Sequence, residues 1–139
     1  MNIVQSLSSI TLVGAFVGVF ACFSPWVGDI TGVDLFNSYG GSFQVFIPFF
    51  IIGLSAVSAL LSVLMLTRTD YWYIPFIQFF IGVAVMILTS VFSMWSIDSV
   101  KVTSMVSMGF WISYLAGILM ILGGALQHAL IFGIIRLSR

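Results

Sequence analysis

A single histidine, His128, lies among amide side chains in an almost uncharged part of this sequence. Gln127 is its neighbour, and Gln5 and Gln78 belong to two other apolar segments. Polar and ionisable groups in apolar segments are costly and often functional. A proton relay would need a second titratable group, and no Asp or Glu accompanies these residues. Two interpretations follow: a polar inner pocket around His128, or a neutral histidine hydrogen-bonded to Gln78 or a serine.

Three of the four carboxylates lie in the stretches that follow the first and third apolar segments. Asp29 and Asp34 belong to the glycine-rich stretch 24–42, and Asp98 follows a later segment. Carboxylates in such a loop can ligate calcium, but their spacing matches no calcium-loop pattern. We interpret them as an outer acidic rim, with solvated turn residues as the simpler alternative to a cation site.

No arrangement in the sequence is typical of an enzyme. No serine has a basic partner nearby, and Cys22 is the only cysteine, so it cannot form an intramolecular disulfide. A zinc site needs three or four ligands, which one histidine cannot supply. We therefore expect no catalytic activity, no metal and no cofactor, and we expect Cys22 to be an apolar packing residue.

The composition predicts an integral membrane protein. Of 139 residues, 61% are hydrophobic and 6% are charged, whereas soluble domains carry about 25% charged residues. Windows 1–28, 35–67, 71–97 and 102–135 contain no charged residue. Each exceeds the roughly 20 residues that cross a bilayer core. No basic run suits nucleic acid, so the lipid bilayer is the expected environment.

We predict one all-α domain over 1–139, a bundle of four membrane spans. The spans cover about 3–23, 43–66, 74–95 and 106–135. Pro75 opens the third span, and Pro48 is expected to bend the second. Positive charge is retained on the cytoplasmic side of a cell membrane. Arg68, Arg136 and Arg139 outnumber Lys101, so both termini are expected to be cytoplasmic.

Small residues indicate where the helices pack. Gly14 and Gly18 share a face of the first span, and Gly117, Gly124 and His128 share one of the fourth. Between helices in lipid, close approach over small residues and hydrogen bonds provide the attraction. These stripes predict packing within the bundle or an interface with another chain. GxxxG alone does not decide between the two.

The stretch "FSPWVGD", 23–29, has a near-copy, "FSMWSID", at 92–98, displaced by 69 residues. A duplicated helical hairpin is one interpretation, because parallel repeats occur in membrane proteins. The other interpretation is that the ends of membrane helices draw on a small set of residue types, so that similar stretches recur without duplication. In both, the pattern predicts Phe in lipid, Trp at the headgroups and Asp in water.

The Trp of "PW", followed by "GVDL" and a second helix that contains Pro48, resembles small four-span membrane proteins of archaea and bacteria that are largely uncharacterised. The resemblance covers mainly 25–48 and implies the four-span fold. The topology is also similar to that of claudins and other tetraspans. The claudin Gly-Leu-Trp motif and paired cysteines are absent, so no adhesion function is implied.

Two functions are expected from these features. The first is a non-enzymatic membrane subunit that packs laterally with itself or with a larger membrane complex. The second is a small transporter, channel or lipid-binding protein that uses a polar inner pocket around His128. A water-filled cavity reaching His128 would favour the second, and a dry bundle with apolar lateral patches the first.

Overall fold

The structure, a computed structural model, describes residues 3–35, 37, 43–67, 73–97, 100–101, 104 and 106–131. Within this part of the chain lie four long α-helices: α1 (Ile3–Cys22), α2 (Ile47–Thr67), α3 (Ile74–Ser93) and α4 (Met108–Ile131). All four are long and apolar enough to cross a membrane. The predicted all-α fold is confirmed. The helix bounds lie within two residues of the predicted spans, except at 43–46, which form a 3-10 turn, and at 132–135, which lie outside the described residues.

Around the bundle the helices follow their order in the chain, and α1 and α4 are neighbours. α1 packs against both α2 and α4, and α3 packs mainly against α4. α2 and α3, although consecutive in the chain, make the weakest of these four helix contacts. The bundle therefore closes through the contact of α1 with α4, and its least extensive contact lies between α2 and α3.

Pro48 is the second residue of α2 and follows a 3-10 turn at Phe43–Phe46. A proline in the first turn of a helix costs little, because the N–H that it lacks would have no partner within the helix. Pro48 therefore marks the change from 3-10 to α-helix, whereas the sequence predicted a bend inside the span. Pro75 occupies the equivalent early position in α3.

Two short antiparallel hairpins lie at one end of the bundle, here called the hairpin end. β1 (Pro25–Val27) pairs with β2 (Ile30–Thr31), and β3 (Ser96–Ile97) pairs with β4 (Val100–Lys101). Sequence analysis did not predict these strands, because two- and three-residue segments carry no periodicity.

Each copy of the Phe-Ser-x-Trp pattern is thus a helix end followed by a hairpin. The pairs that flank the turns are Val27 with Ile30 and Ile97 with Val100. A shift of 69 residues would place Val27 on Ser96, so the second hairpin is displaced by one residue. The two halves share their order of elements, and duplication stays a prediction.

The first hairpin is tied to the start of α4. The backbone N–H of Ser107 donates to the Trp26 carbonyl at 2.9 Å, and its hydroxyl donates to the Gly28 carbonyl at 2.6 Å. Val27 forms an isolated β-bridge with Val106. These contacts join the segment after the first helix to the beginning of the last one.

Trp26 lies in the core of the hairpin end. It is fully buried, and its indole Nε1 donates to the Ala21 carbonyl at 2.8 Å. The edge-to-face contacts to Phe92 and Phe110 have ring centroids 4.9 and 6.0 Å apart. An indole whose N–H is satisfied in this way can be buried without a polar penalty.

The sequence predicted instead that both copies place Phe in lipid and Trp at the headgroups. Phe23 is 59% exposed, but its counterpart Phe92 is fully buried, and Trp95 is only 8% exposed. The two copies therefore have different surroundings. The physical reason is aromatic packing: Trp26 packs against Phe92 and Phe110, and Trp95 packs against Phe92.

The cations on which the predicted orientation depends are mostly outside the described residues. Arg68, Arg136 and Arg139 belong to that part of the chain, as does Asp98. Lys101 is exposed in β4, at the hairpin end. The cytoplasmic placement of both termini stays a prediction.

Candidate functional site

The largest buried polar side chain of α3 is Gln78, which is fully enclosed between α3 and α2. Its Nε2 donates to the Ser58 carbonyl at 3.1 Å and to the Ser62 hydroxyl at 2.7 Å. These hydrogen bonds from the Gln78 side chain join α2 and α3, which pack only weakly against each other. Gln78 therefore supplies directional contacts where apolar contact between the helices is least extensive.

Two residues of α1 extend these contacts towards the end of the bundle opposite the hairpins. The hydroxyl of Ser8 donates to the Ser62 carbonyl at 3.0 Å, and Nε2 of Gln5 donates to the Leu66 carbonyl at 2.8 Å. We call Gln5, Ser8, Ser58, Ser62 and Gln78 the polar seam. It connects α1, α2 and α3, and it runs from the opposite end of the bundle into its interior.

His128 lies away from the polar seam. It is half-buried on α4 and lines a lateral groove of about 280 Å³ with Phe76, Phe79, Ala125 and Ala129. The rings of His128 and Phe76 are 5.7 Å apart. The groove is almost wholly apolar and opens on the side of the bundle.

The structure divides the predicted inner cluster. Gln5 and Gln78 belong to the polar seam, whereas Gln127 is fully buried on α4 and His128 lines the lateral groove. Both hydrogen bonds of the Gln78 amide are donated to α2, and its Oε1 accepts none from a described residue. The expected hydrogen bond between His128 and Gln78 is therefore not formed.

A second buried polar contact joins α3 to α4 nearer the hairpin end. The hydroxyls of Thr89 and Ser113 are 2.8 Å apart, and that of Thr89 also bonds the Val85 carbonyl. Ser113 was not among the predicted site residues. The signal was available, since Ser113 lies midway between Gly109 and Gly117 at four-residue spacing.

The glycines of the predicted stripes lie at helix contacts within the chain. A Cβ at Gly14 would be 2.9 Å from Leu119 Cβ on α4, and one at Gly18 would collide with the Ser55 hydroxyl on α2. A Cβ at Gly124 would be 2.7 Å from the Pro75 carbonyl. These glycine faces are filled by the chain's own helices and are not free for a partner.

Gly117 and Gly82 mark a second close approach of α3 and α4. A Cβ there would be 2.6 Å from Met86 Cγ, and one at Gly82 would be 2.8 Å from the Gly117 carbonyl. Two glycines face each other across this contact, so the backbones approach directly. Such approach is a common way for helices to associate in lipid.

Of the predicted acidic rim, the structure describes two members. Asp29 is exposed in the turn between β1 and β2, and Asp34 accepts a hydrogen bond from the Thr31 hydroxyl at 2.9 Å. Asp98 lies outside the described residues. Within the described ranges, no three His, Cys, Asp or Glu side chains are grouped closely enough to hold a metal ion.

Cys22, at the end of α1, is fully buried, and its thiol donates to the Pro48 carbonyl at 3.2 Å. The contact fastens the end of α1 to the start of α2. The arrangement as a whole offers a polar seam, an apolar groove with one imidazole, and apolar outer faces. No protein family model, curated protein or solved structure matches this chain.

Proposed function

We propose that this chain is a non-enzymatic integral membrane protein that acts by lateral assembly with a second copy of itself. Four helices long and apolar enough to cross a bilayer support the membrane location. Several of their buried polar groups bond one another, and their outer faces carry large apolar side chains. The surface available to a partner is therefore almost entirely within the bilayer.

The observation that carries this proposal is a groove of about 420 Å³ between α1 and α2. Its floor consists of small side chains, Ala15, Ala56 and Ala59. Phe16 and Leu60, which are 63% and 69% exposed, stand beside it as ridges. Helices in lipid associate by filling such small-residue grooves, because the lipid chains are as apolar as the side chains.

The groove and its ridge suit a two-fold dimer. A two-fold axis along the membrane normal keeps every residue at its own depth. A side chain of one copy can therefore fill a groove of the other copy only if both lie at the same depth. Phe16 lies on α1 within the span of the groove, whose α1 wall runs from Leu12 to Val19. A two-fold rotation then places Phe16 of each copy in the groove of the other. This is the isologous contact of most homodimers.

The proposal is tested by measuring energy transfer between labelled copies in vesicles over a range of protein-to-lipid ratios. Ala59→Phe fills the groove and is expected to abolish the dimer. Ala125→Phe, which adds the same side chain to the groove around His128, is the matched control and should leave the dimer intact. A wild-type chain that stays monomeric at all ratios, or equal loss in both variants, would contradict the proposal.

A second candidate function is supported by the groove around His128. Its walls are Phe76 and Phe79 and its one polar tip is an imidazole, which suits an amphiphile with an apolar chain and a polar head. The chain would then act as a lipid-binding protein. This candidate replaces the inner pocket of the sequence prediction with a site open to lipid.

Mass spectrometry of the detergent-solubilised protein measures lipid retention directly. His128→Ala removes the polar tip and Ala129→Phe blocks the apolar part, so both variants should lose bound lipid. Ala59→Phe, in the other groove, serves as the control. Lipid retention that neither His128→Ala nor Ala129→Phe changes would exclude this site.

A further inference from the structure

Two buried polar atoms in the polar seam have no hydrogen-bond partner among the described residues. They are Oε1 of Gln78 and Oγ of Ser58. Both residues are fully buried. Buried polar groups in proteins are almost always bonded, to protein or to ordered water.

The two atoms belong to residues that are already in contact. Nε2 of Gln78 lies 3.1 Å from the carbonyl oxygen of Ser58, so the amide group sits directly against this turn of α2. Turning the amide over would bring Oε1 against that carbonyl, and two acceptors repel. The neighbouring carbonyl thus requires the orientation that leaves Oε1 without a donor.

The Ser58 hydroxyl also differs in its hydrogen bonding from several other hydroxyls in this bundle. The hydroxyls of Ser9, Ser24, Thr89 and Ser90 each donate to the carbonyl four residues earlier. Ser58 makes no such bond, so its hydroxyl is available as a donor on the residue whose carbonyl the Gln78 amide bonds.

We propose that the Gln78 amide and the Ser58 hydroxyl hold one ordered water molecule between α2 and α3. The water donates to Gln78 Oε1 and accepts from Ser58 Oγ, which satisfies both atoms. Buried waters typically make about three hydrogen bonds to otherwise unsatisfied groups. A cation does not suit this position, because the N–H groups of the same amide are adjacent and both residues are uncharged.

The polar seam also gives the water a route to the site. Ser62 and Ser8 continue from Gln78 towards Gln5, which is half-buried and bonds the Leu66 carbonyl next to the end of α2. The weak contact between α2 and α3 makes this the side of the bundle that opens most easily. The proposed water site would be correct whether or not the chain forms the proposed dimer or binds lipid in the groove around His128.

Water-edited solid-state NMR of the full chain in bilayers tests the site. Magnetisation transferred from water should reach the Ser58 Cβ and the Gln78 side chain early. The Ser113 Cβ is the internal control, because Ser113 is equally buried but its hydroxyl is satisfied by Thr89 at 2.8 Å. Equal, slow build-up at Ser58 and Ser113 would show that the seam is dry and would overturn the proposal.

Gln78→Leu tests whether the amide anchors the water. Build-up at Ser58 is expected to fall to the rate of Ser113, whereas the control Ser113→Ala should leave Ser58 unchanged. Persistent rapid build-up at Ser58 in Gln78→Leu would refute the assignment. If this variant does not fold, the comparison of Ser58 with Ser113 in the unsubstituted chain still tests whether the water is present.

Discussion

The crossing of α3 and α4 at Gly82 allows a steric effect to be separated from helix propensity. Gly82→Ala adds one methyl group where the backbone of α4 lies against α3. The new Cβ would be 2.8 Å from the Gly117 carbonyl oxygen and 2.9 Å from the Ile121 N. Ordinary contact begins near 3.4 Å, so the helices would have to separate by about 0.6 Å. A gap of that size removes a quarter to half of the attraction between facing atoms.

Gly53→Ala is the matched control. Gly53 lies inside α2, is exposed, and has no atom within 4 Å of the position that a Cβ would take. Both substitutions gain about 1 kcal/mol of helix propensity. Gly82→Ala alone incurs an overpacking cost of about 1–3 kcal/mol. The difference in unfolding free energy between the two variants therefore measures the contact itself.

The measurement is unfolding in mixed micelles as the mole fraction of a denaturing detergent rises, followed by circular dichroism. We expect Gly82→Ala to be about 2 kcal/mol less stable than Gly53→Ala, roughly a thirtyfold change in the folded-to-unfolded ratio. Adding Ile121→Ala should not restore stability, because two of the close contacts are with backbone atoms. Equal stability of the two glycine variants would refute the close crossing.

Three further predictions concern single residues. Cys22, fully buried and bonded to a carbonyl, should react with maleimide only as the protein unfolds; rapid labelling of the folded chain would contradict its placement. Thr89→Val removes the hydrogen bond to Ser113 and should lower the unfolding free energy by about 0.6–1.7 kcal/mol, measured in the same detergent titration. Gly28 has a φ of 56° with nothing near its Cβ position, so Gly28→Ala should cost about 1 kcal/mol from backbone strain alone. An unchanged unfolding midpoint in Thr89→Val would count against the hydrogen bond to Ser113, and one in Gly28→Ala would count against the positive φ of Gly28.

The sequence predicted the helices well because length and hydropathy decide them. It also placed Gln78 among the inner polar residues. The buried serines of α2, Ser55, Ser58 and Ser62, share one face because they are spaced three and four residues apart. What the sequence could not decide is the rotation of α4. Gln127 and His128 are adjacent, and an almost wholly apolar helix has little amphipathic pattern to show which of them faces inward.

That rotation is determined by backbone contacts with two other helices. A Cβ at Gly123 would collide with Thr11 on α1, and one at Gly124 would be 2.8 Å from the Phe79 N on α3. Because both glycines are held at these contacts, Gln127, one turn further along α4, faces the core. His128 faces the lateral groove. The hairpins were missed for a similar reason, because their positions depend on Trp26, Phe92 and Phe110 packing at the end of the bundle.

The spatial order of the helices has a consequence for biosynthesis. Chains are made from the N-terminus, so α1 emerges first, but one of its two main neighbours, α4, is made last. Until then Gly14 and Gly18 lack their contacts with α4, and Trp26 lacks the cover that Phe110 provides. The growing chain must keep its first helix and hairpin incompletely packed through most of translation, and the bundle can close only when synthesis has passed α4.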